Sequence, residues 1–116
     1  MIDYISPHFR AAEFVCHCGA SDCAAQDIEM SRYLIGALEH LRGRLGDMPI
    51  TITSGVRCAA HNSAVGGVAN SYHLTGHAAD VVVSGATPAE VAQAVGDMRG
   101  IKVIAYNDYC HIQSTD

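Results

Sequence analysis

His73 and Asp80 stand seven positions apart in the stretch Ser71-Tyr72-His73-Leu74-Thr75-Gly76-His77-Ala78-Ala79-Asp80. The imidazole sits on a loop that turns at Gly76. The carboxylate heads Val81-Val82-Val83, a β-branched run that reads as a buried strand. An acid entering so apolar a strand is costly unless something pairs with it. A divalent metal shared with His73 would offset that cost. His111, within Tyr109-Cys110-His111-Ile112-Gln113, is the best candidate for a third ligand. Side chains alternate along a strand, so His111 and Asp80 face the same side if their strands are neighbours. Two imidazoles and one carboxylate leave the fourth zinc position to water, the mark of a catalytic site. Zinc lowers the pKa of such a water towards about 7 and polarises a bound carbonyl.

Two further residues could serve that chemistry. Asp108 precedes His111 by three positions, which could bring it within reach of the water as general base; the same residue also suits a plain turn. Arg57 follows Thr53-Ser54-Gly55-Val56 at a strand's end, where it could hold a substrate carboxylate or the tetrahedral oxyanion. Its ordinary alternative is a surface ion pair. A separate group, Cys16, Cys18 and Cys23 with His17, could bind a second, structural metal, with Cys58 supplying a fourth ligand. The spacing C-x-C-x4-C matches no standard zinc finger or ribbon, and a set of thiols in a loop explains it equally. Cys110 beside His111 mimics a nucleophilic Cys–His pair, but neighbours on a strand point to opposite faces. His40 and His77 read as exposed, and His61 with Asn62 as fixing loop backbone. No His-Glu-x-x-His helix is present, which disfavours the helix-borne zinc protease.

The elements that must position these residues can be read in order. Residues 6–15 form a lead-in with one helical turn and two core anchors, Phe9 and Phe14. From Asp27 to Leu45, Met30, Leu34, Ala37, Leu38, Leu41 and Leu45 recur at helical steps, and Gly46 and Pro49 end the pattern. Residues 49–53 alternate as a strand, and 59–65 read as a short helix stopped by Gly66-Gly67. Thr87-Pro88-Ala89-Glu90 opens a helix with a capping box; it continues to Met98 and stops at Gly100. Residues 101–106 and 109–113 form a hairpin about Asn107-Asp108.

Thr53-Ser54-Gly55-Val56-Arg57-Cys58, His61-Asn62, Val65-Gly66-Gly67 and Ser71-x-His73-x-x-Gly76-x-Ala78-x-Asp80 together resemble the zinc D-Ala-D-Ala carboxypeptidase and L-Ala-D-Glu endopeptidase family, which shares its fold with the hedgehog signalling domain. Ser6-Pro7-His8-Phe9 and Ala12-Glu13-Phe14 are similar to its compact members, often phage lysis enzymes. Asp108-Tyr109-Cys110-His111-Ile112-Gln113 is similar to its terminal segment, although some members carry His-x-Asp where this chain has Gln113, and others carry Glu in place of Asp108. The resemblance implies an α+β fold, a small antiparallel sheet with helices packed on it. It implies one catalytic Zn2+ on His73, Asp80 and His111, with Asp108 as general base. Arg57 would stabilise substrate or oxyanion, and Ser71 would support the substrate region by hydrogen bonding. The implied substrate is a peptide of bacterial peptidoglycan. A non-catalytic zinc-binding or cell-wall recognition module of the same fold is the alternative.

Composition sets outer bounds. A chain of 116 residues, 49% hydrophobic and 16% charged, suits one globular domain spanning 1–116 with a real core. The formal net charge of −5 and the lack of a basic stripe argue against nucleic acid as a partner. No apolar run approaches the roughly 18–20 residues that span a bilayer. The amino terminus lacks the basic and apolar regions of a signal peptide. The expectation is a monomer that stays in the cytosol until released, through a phage-made lesion or packaged in a virion. Five cysteines in such a setting suggest thiols or metal ligands over a disulfide framework.

Overall fold

Four antiparallel strands in the order β3-β4-β6-β5 carry the molecule's chemistry on one face and its core on the other. The computed structural model describes residues 4–19, 23, 25 and 28–115. The strands are β3 (Ile50–Ser54), β4 (Ala78–Val83), β5 (Ile101–Ala105) and β6 (Cys110–Ser114). A separate two-stranded ladder, β1 (Tyr4–Ser6) with β2 (Phe9–Arg10), opens the chain, followed by a 3-10 turn over Ala11–Phe14. Among the described residues three α-helices complete the fold: α1 (Arg32–Arg44), α2 (Ala59–Ala64) and α3 (Pro88–Val95). This is the expected α+β arrangement, an antiparallel sheet with helices packed on it.

Strand alternation divides the sheet's two faces. On β4, Ala79, Val81 and Val83 enter the core; on β6, Cys110 and Ile112 do the same. They meet Leu34, Ile35, Leu38 and Leu41 of α1 and Val91 and Val95 of α3, with Ile50 and Ile52 of β3, Phe9 and Phe14. The intervening residues Asp80, His111 and Gln113 therefore belong to the opposite face. Cys110 Sγ lies in the core and donates to the Pro88 carbonyl at 3.1 Å, well removed from any nucleophilic role beside His111.

Several boundaries differ from the sequence reading. The first helix begins at Arg32, because Ser31 is the true cap: its Oγ accepts from Leu34 N at 3.2 Å. The Ser31 N–H is drawn instead to the Gly76 carbonyl, 2.8 Å away, which docks the chain before the helix against the turn that bears His73. Asp27, the expected start, lies outside the described residues. The last helix has the expected capping box between Thr87 and Glu90, but it ends at Val95, where Gly96 takes a positive φ of 56°. The β1–β2 ladder was not expected, since its strands are too short to show a period. The β5–β6 hairpin forms as expected, closed by Tyr106 N donating to Tyr109 O at 2.8 Å.

Candidate active site

Register brings the three expected ligands together. Asp80 pairs directly with His111 on β6 and with Ser54 on β3. A bulge in β3 between Ile52 and Ser54 shifts the register beside Asp80, and Thr53 Oγ1 donates to the Asp80 carbonyl at 3.2 Å. His73 arrives from a 3-10 turn over Tyr72–Thr75. Ser71 Oγ accepts the His73 N–H at 3.2 Å, so this serine holds the histidine-bearing turn. Arg57 N donates to the His73 carbonyl at 3.0 Å, fastening that turn to the end of β3.

The imidazoles are set in defined tautomers. His73 Nδ1 lies 2.7 Å from the Gly55 carbonyl, which can only accept, so Nδ1 carries the proton. His111 Nε2 lies 2.8 Å from Gln113 Oε1 and donates to it. The remaining nitrogens, His73 Nε2 and His111 Nδ1, lie 3.2 and 3.1 Å from the same oxygen, Asp80 Oδ1. In neutral rings this directs three lone pairs at one point, which is repulsive unless a cation or protons sit among them. The three ligand atoms lie within 4.8 Å of one another, and His73 and Asp80 are buried. Two imidazole nitrogens and a carboxylate oxygen, each held from behind, fit a zinc ion with an open position.

Arg57 holds the other side of Asp80. Its Nη2 lies 3.1 Å from Asp80 Oδ2, its Nη1 3.2 Å from Asn62 Oδ1 and its Nε 3.1 Å from Ser54 Oγ. Three of the five guanidinium donors are thereby used. Asn62 is buried and anchors itself by donating to the Val68 carbonyl at 2.8 Å. Burial alone would push the Asp80 carboxyl up, but hydrogen bonds from His111 and His73 and the charge on those rings hold it down at about 2. Burial likewise disfavours a charged His111, yet the bonds to Asp80 and Gln113 and the Asp80 charge raise its pKa. In metal-free protein a proton therefore tends to occupy the place a cation would take.

A cleft of about 230 Å³ opens beside Asp80, walled by His17, Ser54, Arg57, His61 and Tyr109. Tyr109 stacks on Tyr106 with ring centroids 4.8 Å apart, and burial, then the negative charge of Asp80, raises its phenol pKa. Asp108 is exposed in the turn just before Tyr109 and does not line this cleft. A larger groove, about 850 Å³, runs between the β1–β2 ladder and α1 and shares none of these lining residues. His77, expected to be exposed, is half-buried: its N–H donates to Tyr72 O at 3.0 Å and its carbonyl accepts from Ser114 N at 2.9 Å. The four cysteines of the second group also converge: Cys16, Cys18, Cys23 and Cys58 place their sulfurs within 4.8 Å of one another. Asn62, Gln113 and Tyr109 were not marked as site residues by the sequence. Asn62 had a signal in its place after His61, and Gln113 in standing where some members of the resembled family carry the Asp of His-x-Asp.

A histidine on a turn and an aspartate and a histidine on paired strands, converging beside an open cleft, form a candidate metal centre. The chain belongs to the peptidase M15 family, whose profile matches residues 7–113. It is 34% identical over 84 residues to the zinc D-Ala-D-Ala carboxypeptidase of Streptomyces albus G, covering 68% of this chain and 33% of that protein. The chain thus spans about a third of the length of this relative. The crystal structure of the L-Ala D-Glu endopeptidase ChiX of Serratia marcescens superposes with a TM-score of 0.54 at 28% identity, covering 74% of this chain and 80% of that one. The resemblance read from the sequence motifs is to this same family.

Proposed function

We propose that the protein is a zinc peptidase that hydrolyses an amide bond in peptides of bacterial peptidoglycan, with His73, Asp80 and His111 as metal ligands. The observation that carries this reading is the pair of imidazoles, each donating its N–H away from the site and turning its free nitrogen to Asp80 Oδ1. Both named relatives cleave bonds made by D-amino acids, a substrate class typical of bacterial wall peptides.

When bound, zinc supplies a Lewis acid that polarises the scissile carbonyl and acidifies water. The chain's residues supply the rest. Asp108 accepts the proton of the attacking water and passes it to the leaving amine; its exposed position in the 106–109 turn lets the carboxylate swing towards the cleft over Tyr109. Arg57, with two guanidinium donors uncommitted, stabilises the substrate carboxylate or the developing oxyanion while keeping Asp80 oriented. Ser71 supports the substrate side by fixing the turn that carries His73. Tyr109 and His17 line the cleft available to the peptide.

The test is mass spectrometry of products from defined wall fragments, run with wild type, His73→Ala and Asp108→Ala. Wild type with zinc should release one defined peptide or amino acid. His73→Ala should lose hydrolysis together with the metal bound at Asp80 and His111, while Asp108→Ala should keep that metal and lose hydrolysis. Full hydrolysis by His73→Ala would overturn the proposal. Zinc binding and wall affinity without any cleavage by wild type would point to the non-catalytic module.

A further inference from the structure

We propose that Cys16, Cys18, Cys23 and Cys58 form a second metal centre, a closed four-sulfur zinc site that ties residues 14–19 to the start of α2 and so builds one wall of the cleft. This centre stands independently of the peptidase reading. The four sulfurs lie within 4.8 Å of one another, although Cys58 is 42 positions from Cys16 in the chain. Zinc–sulfur bonds of about 2.3 Å in a tetrahedron need sulfurs about 3.8 Å apart, so a contraction of about 1 Å or less suffices. All four are free thiols, and the fifth cysteine, Cys110, is committed to the core elsewhere.

Three of the four sulfurs accept backbone N–H groups. Cys16 Sγ accepts from Cys58 N at 3.3 Å, Cys23 Sγ from Ala25 N at 3.4 Å, and Cys58 Sγ from His61 N at 3.4 Å. Such N–H donors stabilise sulfur's negative charge. Around them Ala25 and Val56 form a small apolar cluster, and Met30 packs against both it and the main core. No described residue between Phe14 and Arg32 lies in a helix or strand. A cluster that small cannot by itself hold so irregular a segment, and small folds meet this need with a metal. Four soft sulfur ligands select zinc or iron and leave no place for water, which makes the site structural. Its consequence for the cleft is direct: His17 lies between two of the ligands, and Arg57 immediately precedes another.

The experiment uses the full chain purified under reducing conditions. Elemental analysis should give two zinc ions per chain for wild type and one for His73→Ala. Titrating His73→Ala with an organomercurial that reacts with thiols should release that remaining zinc, read with a chromophoric indicator. Cobalt-substituted His73→Ala should show intense near-ultraviolet sulfur-to-metal charge-transfer absorption, lost in the His73→Ala/Cys18→Ser double variant. If that double variant does not fold, the mercurial and cobalt measurements on His73→Ala decide. No metal in folded His73→Ala, iron in place of zinc, or two disulfides among the four cysteines by non-reducing peptide mapping would each overturn the proposal.

Discussion

Gln113 does for His111 what the Gly55 carbonyl does for His73: it takes the ring proton on the far side and leaves the near nitrogen free. Gln113→Leu should therefore lower zinc affinity about 10–100-fold, the usual effect of losing such a partner, with little change in fold because the side chain is only half-buried. Competition with a chelating indicator measures it, and Gln113→Glu, which keeps an acceptor, should restore most of the loss. Asp108→Asn is expected to behave in the opposite way. Zinc content should stay at the wild-type level while the hydrolysis rate falls about 100-fold or more, the ordinary contribution of a positioned base. An Asp108→Asn enzyme with an undiminished rate would remove that residue from the mechanism. The histidines and Asp80 could be read from the sequence because their types are chemically loud and their spacing lay on recognisable strands. Asn62 and Gln113 were legible only in part: their places beside His61 and His111 could be noted, but amides are common at surfaces, and only the contacts to Arg57 and to the His111 ring show what they hold.

The turn carrying His73 depends on Gly76 for two separate reasons. Its φ of 78° lies in the left-handed region, and an added Cβ would collide with the Glu29 carbonyl oxygen. Gly76→Ala should cost about 1–3 kcal/mol in unfolding free energy, read by chemical denaturation, and should weaken zinc binding by displacing His73. On the other side of the molecule, the β1–β2 ladder is fastened to α1 through Glu39. Its Oε2 accepts from Ser6 Oγ at 2.6 Å and from His8 N at 2.7 Å, and its Oε1 lies 2.6 Å from His8 Nδ1. Burial would raise this carboxyl, but the bonds from Ser6 and His8 and the His8 charge lower it below its ordinary 4.5. A depressed carboxyl adds stability above the unfolded pKa and loses it as pH falls through the folded one. Glu39→Gln should thus destabilise by about 1–2 kcal/mol at neutral pH, with the gap from wild type closing as the pH drops below 4.5. Denaturation curves for both proteins across that range provide the check. Long periodic elements such as α1 were legible; its exact start was not, because Ser31 is capped locally but positioned by Gly76, forty-five positions away.

Metal binding should be coupled to folding, because the three proposed ligands join separate parts of one sheet-and-turn frame. Asp80 is buried at the centre, and every group around it, His73, His111 and Arg57, comes from a different segment. Without a cation, the contacts to Asp80 Oδ1 hold only while a proton is present among these groups. The sign follows from the raised pKa of His111: its share of metal-free stability is full below the unfolded value of 6.5 and is lost as the pH rises through the folded one. Zinc needs the deprotonated ring, so it should bind more tightly in the same direction of pH and take over that support. No described helix is long and apolar enough to cross a membrane. Free zinc at about 1,000 times its dissociation constant should add about 4 kcal/mol to unfolding. For a domain of 116 residues that corresponds to a rise in Tm of about 15 °C. Thermal unfolding of metal-stripped protein against added zinc, at pH 6 and again at pH 8 (values chosen to lie on either side of the ordinary histidine range of about 6.5), should show the larger rise at the higher pH. His73→Ala should flatten the component that depends on this triad, leaving only the response of the four-sulfur centre. An equal rise at both pH values would mean that protons and zinc do not compete for the point between the two imidazoles and Asp80.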